Sequence, residues 1–187
     1  MKLKYKIIII ISCVFIFLYF FIILWYNGLI WPNTPSKKKY PVRGVDVSSY
    51  QGEIDWETLE NQDIDFAFIK ATEGSGYEDE YFQQNFQNAS ETGIRIGAYH
   101  FFSFDSSGIT QAENFIKTVP KTQNMLPPVI DLEFYAQHGS DPPEKEETRY
   151  NLQKMIDAVY DYYGLMPVIY VTDITYELYI KGYFDDN

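Results

Sequence analysis

Apolar residues are distributed along this chain in two different ways. Positions 7–26 form an almost unbroken apolar run, diluted only by Ser12 and Cys13. Beyond position 43 the apolar residues come in short clusters separated by polar stretches. As a helix, twenty residues at about 1.5 Å each span about 30 Å, the hydrocarbon thickness of a bilayer. Lys2, Lys4 and Lys6 precede the run, and Trp25, Tyr26 and Trp31 fall where an interfacial aromatic belt would lie. The pattern predicts a transmembrane signal anchor over 7–26, a cytoplasmic basic stub over 1–6 and export of everything that follows. Lys37, Lys38 and Lys39 on the far side weigh against that orientation, but they follow a linker over 27–42 that carries Pro32, Pro35 and Pro41. Two other readings stay open. A cleaved signal peptide is disfavoured by the length of the run and the lack of a small-x-small site. Ile10-Ile11-Ser12-Cys13 is similar to a lipobox, although apolar sequence continues well past Cys13.

The clustered pattern predicts alternating strands and helices. Strands are expected over 43–48, 64–71, 94–104, 127–133 and 166–171, and helices over 55–62, 79–92, 108–119, 144–163 and around 174–180. Near-continuous apolar strands such as Phe66-Ala67-Phe68-Ile69 belong in parallel sheets covered on both faces. The expected fold class is therefore α/β, as a barrel or a doubly wound sheet. Asp55 suits a cap before Trp56, and Glu144, Glu146 and Glu147 place negative charge in the first turn of the long helix, where the dipole favours it. Gly164 ends that helix, and Leu152, Met155, Ile156 and Val159 fall on one buried face.

Composition narrows the function classes. With 46% hydrophobic and 18% aromatic residues the chain can fill a core, which argues against disorder. Aromatic rings also suit the apolar faces of sugars, although most serve the core. The formal net charge is −11, and the basic residues include the three N-terminal lysines, so no basic stripe is left for nucleic acid. The single cysteine, Cys13, lies inside the apolar run, which excludes a disulfide framework and a cysteine metal site. With only His100 and His138 a histidine-rich metal site is disfavoured as well. Neither a metal nor an organic cofactor is expected.

In parallel α/β folds reactive groups gather at the C-terminal ends of strands. Those ends offer Asp46, then Thr72 and Glu73, then Tyr99, His100 and Phe101, then Asp131 and Glu133, and last Tyr170. No basic residue is read among them. Carboxylates that converge without counter-ions raise one another's pKa, and a carboxyl group kept protonated near neutrality can act as a general acid. The sharpest signal is Val129-Ile130-Asp131-Leu132-Glu133. Alternate strand residues share a face, so Asp131 and Glu133 point the same way, about 6.5–7 Å apart along the strand. Spacing alone leaves a metal site or a strand-end capping pair open beside catalysis. Asp46 and Glu73 also suit contacts with neighbouring loops, and His100 reads first as a satisfied core histidine.

Together the motifs carry a resemblance. Gly44-Val45-Asp46-Val47-Ser48-Ser49-Tyr50-Gln51-Gly52 comes first, followed by Ile54-Asp55-Trp56 and Phe68-Ile69-Lys70-Ala71-Thr72-Glu73-Gly74. Gly97-Ala98-Tyr99-His100-Phe101 and Leu126-Pro127-Pro128-Val129-Ile130-Asp131-Leu132-Glu133 complete the set. In this order and spacing they resemble the glycoside hydrolase family 25 lysozymes, the Chalaropsis-type muramidases, from about position 43 to the chain end. The resemblance implies an irregular β/α (TIM-like) barrel that hydrolyses the β-1,4 bond between N-acetylmuramic acid and N-acetylglucosamine in peptidoglycan, with no cofactor. It implies Glu133 as the general acid and Asp131 as the partner that orients or charges the substrate's N-acetyl group. Asp46 becomes a further active-site carboxylate, and Tyr99 and Tyr170 contact sugar, with Phe101 and Glu73 as further substrate-binding candidates. The family is discussed as retaining, with the substrate acetamide as a candidate internal nucleophile, a case outside the carboxylate-separation rule. Against the family pattern, residues 43–187 are expected to form a partial catalytic domain. Its last strands, a further aspartate and some groove aromatics are missing, so an inactive or binding-only wall protein stands as the alternative. The expected location is the cell membrane, single-pass, with the catalytic domain outside.

Overall fold

The computed structural model describes residues 3–26, 35–62 and 64–184. Lys2 of the basic stub, Trp31 and Pro32 of the expected belt and linker, and the chain end at 185–187 lie outside the described residues. The chain divides into two compact units, Met1–Pro41 and Val42–Asn187.

The first unit contains one long helix, α1, Leu3–Tyr26. None of its residues is buried, and it is long and apolar enough to cross a membrane. A helix apolar on every side satisfies its own backbone and leaves its side chains to seek an apolar surrounding.

In the second unit, β1 (Gly44–Val47) is followed by α2 (Trp56–Glu60), β2 (Phe66–Glu73) and β3 (Tyr77–Glu78). Next come α3 (Phe82–Ser90), β4 (Arg95–Phe101), α4 (Gly108–Thr118) and β5 (Val129–Leu132). The long α5 (Lys145–Tyr163), β6 (Val168–Val171) and the short α6 (Asp173–Thr175) complete the series. The sheet runs β1-β2-β4-β5-β6 with every neighbour parallel, and β3 pairs antiparallel with the end of β2. Ala67, Ile69, Ala98, Ile130 and Leu132 point from one face of the strands into the core, where they join Phe82, Ala89, Phe115, Leu152 and Met155 from the helices. The opposite face is concave. Residues of both terminal strands of the order, β1 and β6, line one cavity there, so the sheet forms a curled half-barrel.

The caps follow ordinary helix chemistry. Asp55 accepts from Thr58 N at 2.9 Å, and Glu144 accepts from Glu147 N at 2.7 Å at the start of α5. Gly164 ends α5 in the left-handed region, at φ 72°. Several elements depart from the expected boundaries. The helix expected over 79–92 starts at Phe82 because Asp79 is turned inward, where its carboxylate accepts from Ser49 N and Tyr81 N. The fourth parallel strand stops at Leu132, leaving Glu133 one residue past its end. After α6 the chain makes a π turn over Tyr176–Ile180. A register shift between Lys70 and Thr72 also interrupts β2. This bulge turns Thr72 toward His100 and the helices, and returns Glu73 to the concave face opposite Phe101.

Candidate active site

A cavity of about 450 Å³ occupies the concave face. β1 contributes Asp46, β2 contributes Phe66 and Phe68, and β4 contributes Tyr99. Val129, Asp131 and Glu133 come from β5 and its exit, and Val168, Ile169 and Tyr170 from β6. The alternation of strand side chains thus gathers Asp46, Tyr99, Asp131, Glu133 and Tyr170 around one space. Phe101 and Glu73 do not line it. They lie further along the same strand face, where Glu73, Phe101, Asp131 and Tyr170 stand side by side across four strands. The Phe101 ring packs against Tyr135 with centroids 5.8 Å apart.

Asp131 is the most perturbed carboxyl group of the cleft. Its Oδ1 is buried and accepts no hydrogen bond among the described residues. Burial, and then the negative charge of Glu133, push its pKa up to about 7; Asp46 adds to the effect and Lys70 opposes it. Asp131 thus holds its proton far more readily than an ordinary aspartate. Burial, with the charges of Asp46 and Asp131, also holds the Tyr99 proton well above the ordinary tyrosine range, so this hydroxyl remains a donor. Tyr170 is 57% exposed, and its hydroxyl is raised chiefly by the charge of Glu133.

The expectation that no basic residue joins these carboxylates is wrong. Lys70 is only 8% exposed, and its Nζ lies 2.7 Å from Glu73 Oε2. The same ammonium sits 4.9 Å from the centroid of the Phe101 ring and 5.7 Å from that of Tyr77. The signal was present in the sequence: Phe66, Phe68 and Lys70 alternate on one strand, so the lysine shares the face of the two phenylalanines. Its place in the middle of an otherwise apolar strand masks that signal.

His100 is a core residue. It is fully buried, with Nδ1 2.7 Å from Thr72 Oγ1 and Nε2 3.0 Å from Gln111 Oε1. Gln111 Oε1 also accepts from Ser103 N, and the Gln111 amide group donates to the Ser103 and Ser106 carbonyls. That orientation makes His100 Nε2 the protonated nitrogen and Nδ1 the acceptor for the Thr72 hydroxyl. Burial pulls the His100 pKa down to about 4, so the ring is neutral.

A second cluster holds the chain beyond Glu133. The Tyr135 hydroxyl accepts from Phe104 N at 3.1 Å, donates to Asp105 Oδ2 at 2.9 Å and lies 3.0 Å from Ser103 Oγ. His138 Nε2 approaches the same Asp105 oxygen at 3.4 Å. The loop after β4 is thereby clasped to the segment that follows the Glu133 carboxylate. Among the described residues no group of three His, Cys, Asp or Glu side chains is arranged to hold a metal ion.

The arrangement suits acid–base chemistry on a carbohydrate. Two carboxyl groups on one strand exit face a third across the cavity, a buried phenol stays protonated, and aromatic rings form the walls. Comparison with known proteins points the same way. Residues 45–186 match the family described as Glycosyl hydrolases family 25. The Escherichia coli (strain K12) protein YegX is 35% identical over 152 residues, covering 79% of this chain and 54% of its own length. Lysozyme M1 of Streptomyces globisporus is 43% identical over 96 residues, covering 49% of this chain and 33% of its own. The structure of a family 25 glycosyl hydrolase from Bacillus anthracis is 53% identical with a TM-score of 0.76, covering 77% of this chain and 66% of that one. The chain thus spans about half the length of YegX and a third of lysozyme M1.

Proposed function

Because the chain belongs to glycosyl hydrolase family 25, we propose that its cleft hydrolyses the β-1,4 bond between N-acetylmuramic acid and N-acetylglucosamine of peptidoglycan. The observation that carries this reading is the convergence of Asp131, Glu133 and Asp46 on one aromatic-walled cavity. Lysozyme M1 of Streptomyces globisporus and the Streptomyces coelicolor bacterial lysozyme, 33% identical with a TM-score of 0.67, support it by similarity.

In this reading Glu133 protonates the glycosidic oxygen as the bond to the anomeric carbon breaks. Asp131 accepts the N–H of the substrate acetamide, whose carbonyl oxygen closes on the anomeric carbon. Water then opens that intermediate, with Glu133 taking its proton. In the free protein burial and the Glu133 charge raise the Asp131 pKa, and a substrate N–H donated to the Asp131 carboxylate favours its charged form. Tyr99 and Tyr170 offer hydroxyl and ring contacts to the sugars, while Phe101 and Glu73 stand outside the cavity, further along the same strand face. The helix α1 serves as a signal anchor that keeps the hydrolase on the outer side of the cell membrane, and the half-barrel is part of an irregular β/α barrel.

The test is reducing-end release from purified peptidoglycan by the full chain in detergent micelles. Glu133→Gln is expected to reduce release by at least about 100-fold. Unchanged release by this variant would refute the acid assignment. Retention on peptidoglycan with no release by the unaltered chain would replace hydrolysis with binding alone.

A further inference from the structure

We propose that Lys70, held by Glu73 between the rings of Phe101 and Tyr77, is a positioning residue that sets how much negative charge Asp131 presents to a substrate acetamide. The inference rests on the hydrolase reading of the cleft and assigns a role to an ion pair that the proposed reaction does not itself use.

A lysine that is 8% exposed in the middle of an apolar strand is unusual, because an ammonium loses hydration on burial and must recover it from partners. Lys70 has three: the Glu73 carboxylate at 2.7 Å, the Phe101 face at 4.9 Å and the Tyr77 face at 5.7 Å. The local backbone is shaped to supply them. Without the register shift after Lys70, strand alternation would send Glu73 to the helix side, away from the ammonium. The β3 hairpin returns Tyr77 beside Glu73, its register partner.

Phe101 links this pair to the reaction. One side of its ring meets the Lys70 ammonium, and its backbone stands in register with Asp131 on the next strand. Every element around Asp131 contributes a group. Glu133 comes from its own strand exit, Asp46 from β1, Lys70 and Glu73 from β2, Tyr99 from β4 and Tyr170 from β6. Glu133 and Asp46 disfavour a charge on Asp131, as burial does, and Lys70 favours it. An Asp131 left to burial and its anionic neighbours would stay neutral near pH 7 and could not accept the acetamide N–H as an anion. Lys70 returns part of that charge, and Glu73 limits how much.

Opposite effects follow from the two ends of the pair. Lys70→Met removes the cation, so Asp131 titrates higher, by about one pH unit. Glu73→Gln removes an anion and leaves the ammonium unpaired, so Asp131 titrates lower. Lys70→Arg keeps the charge and leaves Asp131 near its starting point. The experiment is a carbon-13 NMR titration of the full chain in detergent micelles, labelled at aspartate Cγ, with the Asp131 signal assigned by its loss in Asp131→Asn. Displacements of opposite sign in Lys70→Met and Glu73→Gln support the proposal. No displacement, or displacement in the same direction, overturns it, because a pair that only stabilises the fold has no reason to move Asp131 both ways. The acid limb of the pH–rate profile should move with the NMR midpoint. If the unaltered chain releases no reducing ends, the hydrolase reading fails, while the titration still decides whether Lys70 controls the Asp131 charge.

Discussion

Replacing Asp131 with asparagine should stabilise this protein while removing its activity. The Asp131 pKa is raised from 3.8 to about 7 by burial and by Glu133. A difference of about three pH units corresponds to about 4 kcal/mol at 1.36 kcal/mol each. The side chain is only partly buried, so solvent screening reduces this to about 2 kcal/mol. The sign follows from proton linkage. A carboxyl group whose folded pKa lies above its unfolded value binds its proton more tightly in the folded state. Its contribution is complete below about pH 3.8 and is lost as pH rises through about 7. Asparagine never ionises, so Asp131→Asn should match the unaltered chain at pH 4 and exceed it by about 2 kcal/mol at pH 8. For a chain of this size that is an increase of about 4–8 °C in Tm. Near-UV circular dichroism during thermal unfolding in detergent micelles at pH 4, 6 and 8 measures it. A variant less stable than the unaltered chain at pH 8, or a gap unchanged between pH 4 and pH 8, would show that the Asp131 charge does not cost the fold stability.

Further outcomes follow from the core and the loops. A Cβ added at Gly108 would fall on the backbone carbonyl of Asn151, so Gly108→Ala must push α4 away from α5. A loss of about 1–3 kcal/mol, read as a lower denaturant midpoint, is expected. The His100 pKa is depressed to about 4 by burial, so the stability tied to its neutral ring is present above pH 6.5 and lost as pH falls through about 4. His100→Gln should therefore be less stable than the unaltered chain at pH 7, with the gap narrowing between pH 6.5 and 4 in thermal melts. Tyr135→Phe removes the hydroxyl shared by Phe104 N, Asp105 and Ser103. It should cost about 1–2 kcal/mol in denaturant unfolding and lower kcat for reducing-end release, because the segment after Glu133 is no longer clasped.

Strand alternation and the placement of reactive groups at strand ends were sufficient to locate Asp46, Tyr99, Asp131, Glu133 and Tyr170, since both depend on local geometry alone. The same alternation marks Lys70 as inward-facing, and only its position inside an apolar run hid it. The pairing of Glu73 was not legible, because the register shift after Lys70 changes the phase of the strand and nothing in the surrounding residues announces a bulge. The Tyr135–Asp105–His138 cluster was hidden for another reason: its members come from two loops joined only by the tertiary fold. The late start of α3 has a similar origin, since Asp79, a suitable helix-start residue by type, is occupied by the Ser49 backbone across the sheet.

The proposed reaction cuts the bond on the reducing side of N-acetylmuramic acid. Purified peptidoglycan digested with the full chain, reduced with borohydride and resolved by mass spectrometry tests it directly. Fragments ending in reduced N-acetylmuramic acid are expected, and none when Glu133→Gln is used. Fragments ending in reduced N-acetylglucosamine, or the same products from the Glu133→Gln variant, would contradict it.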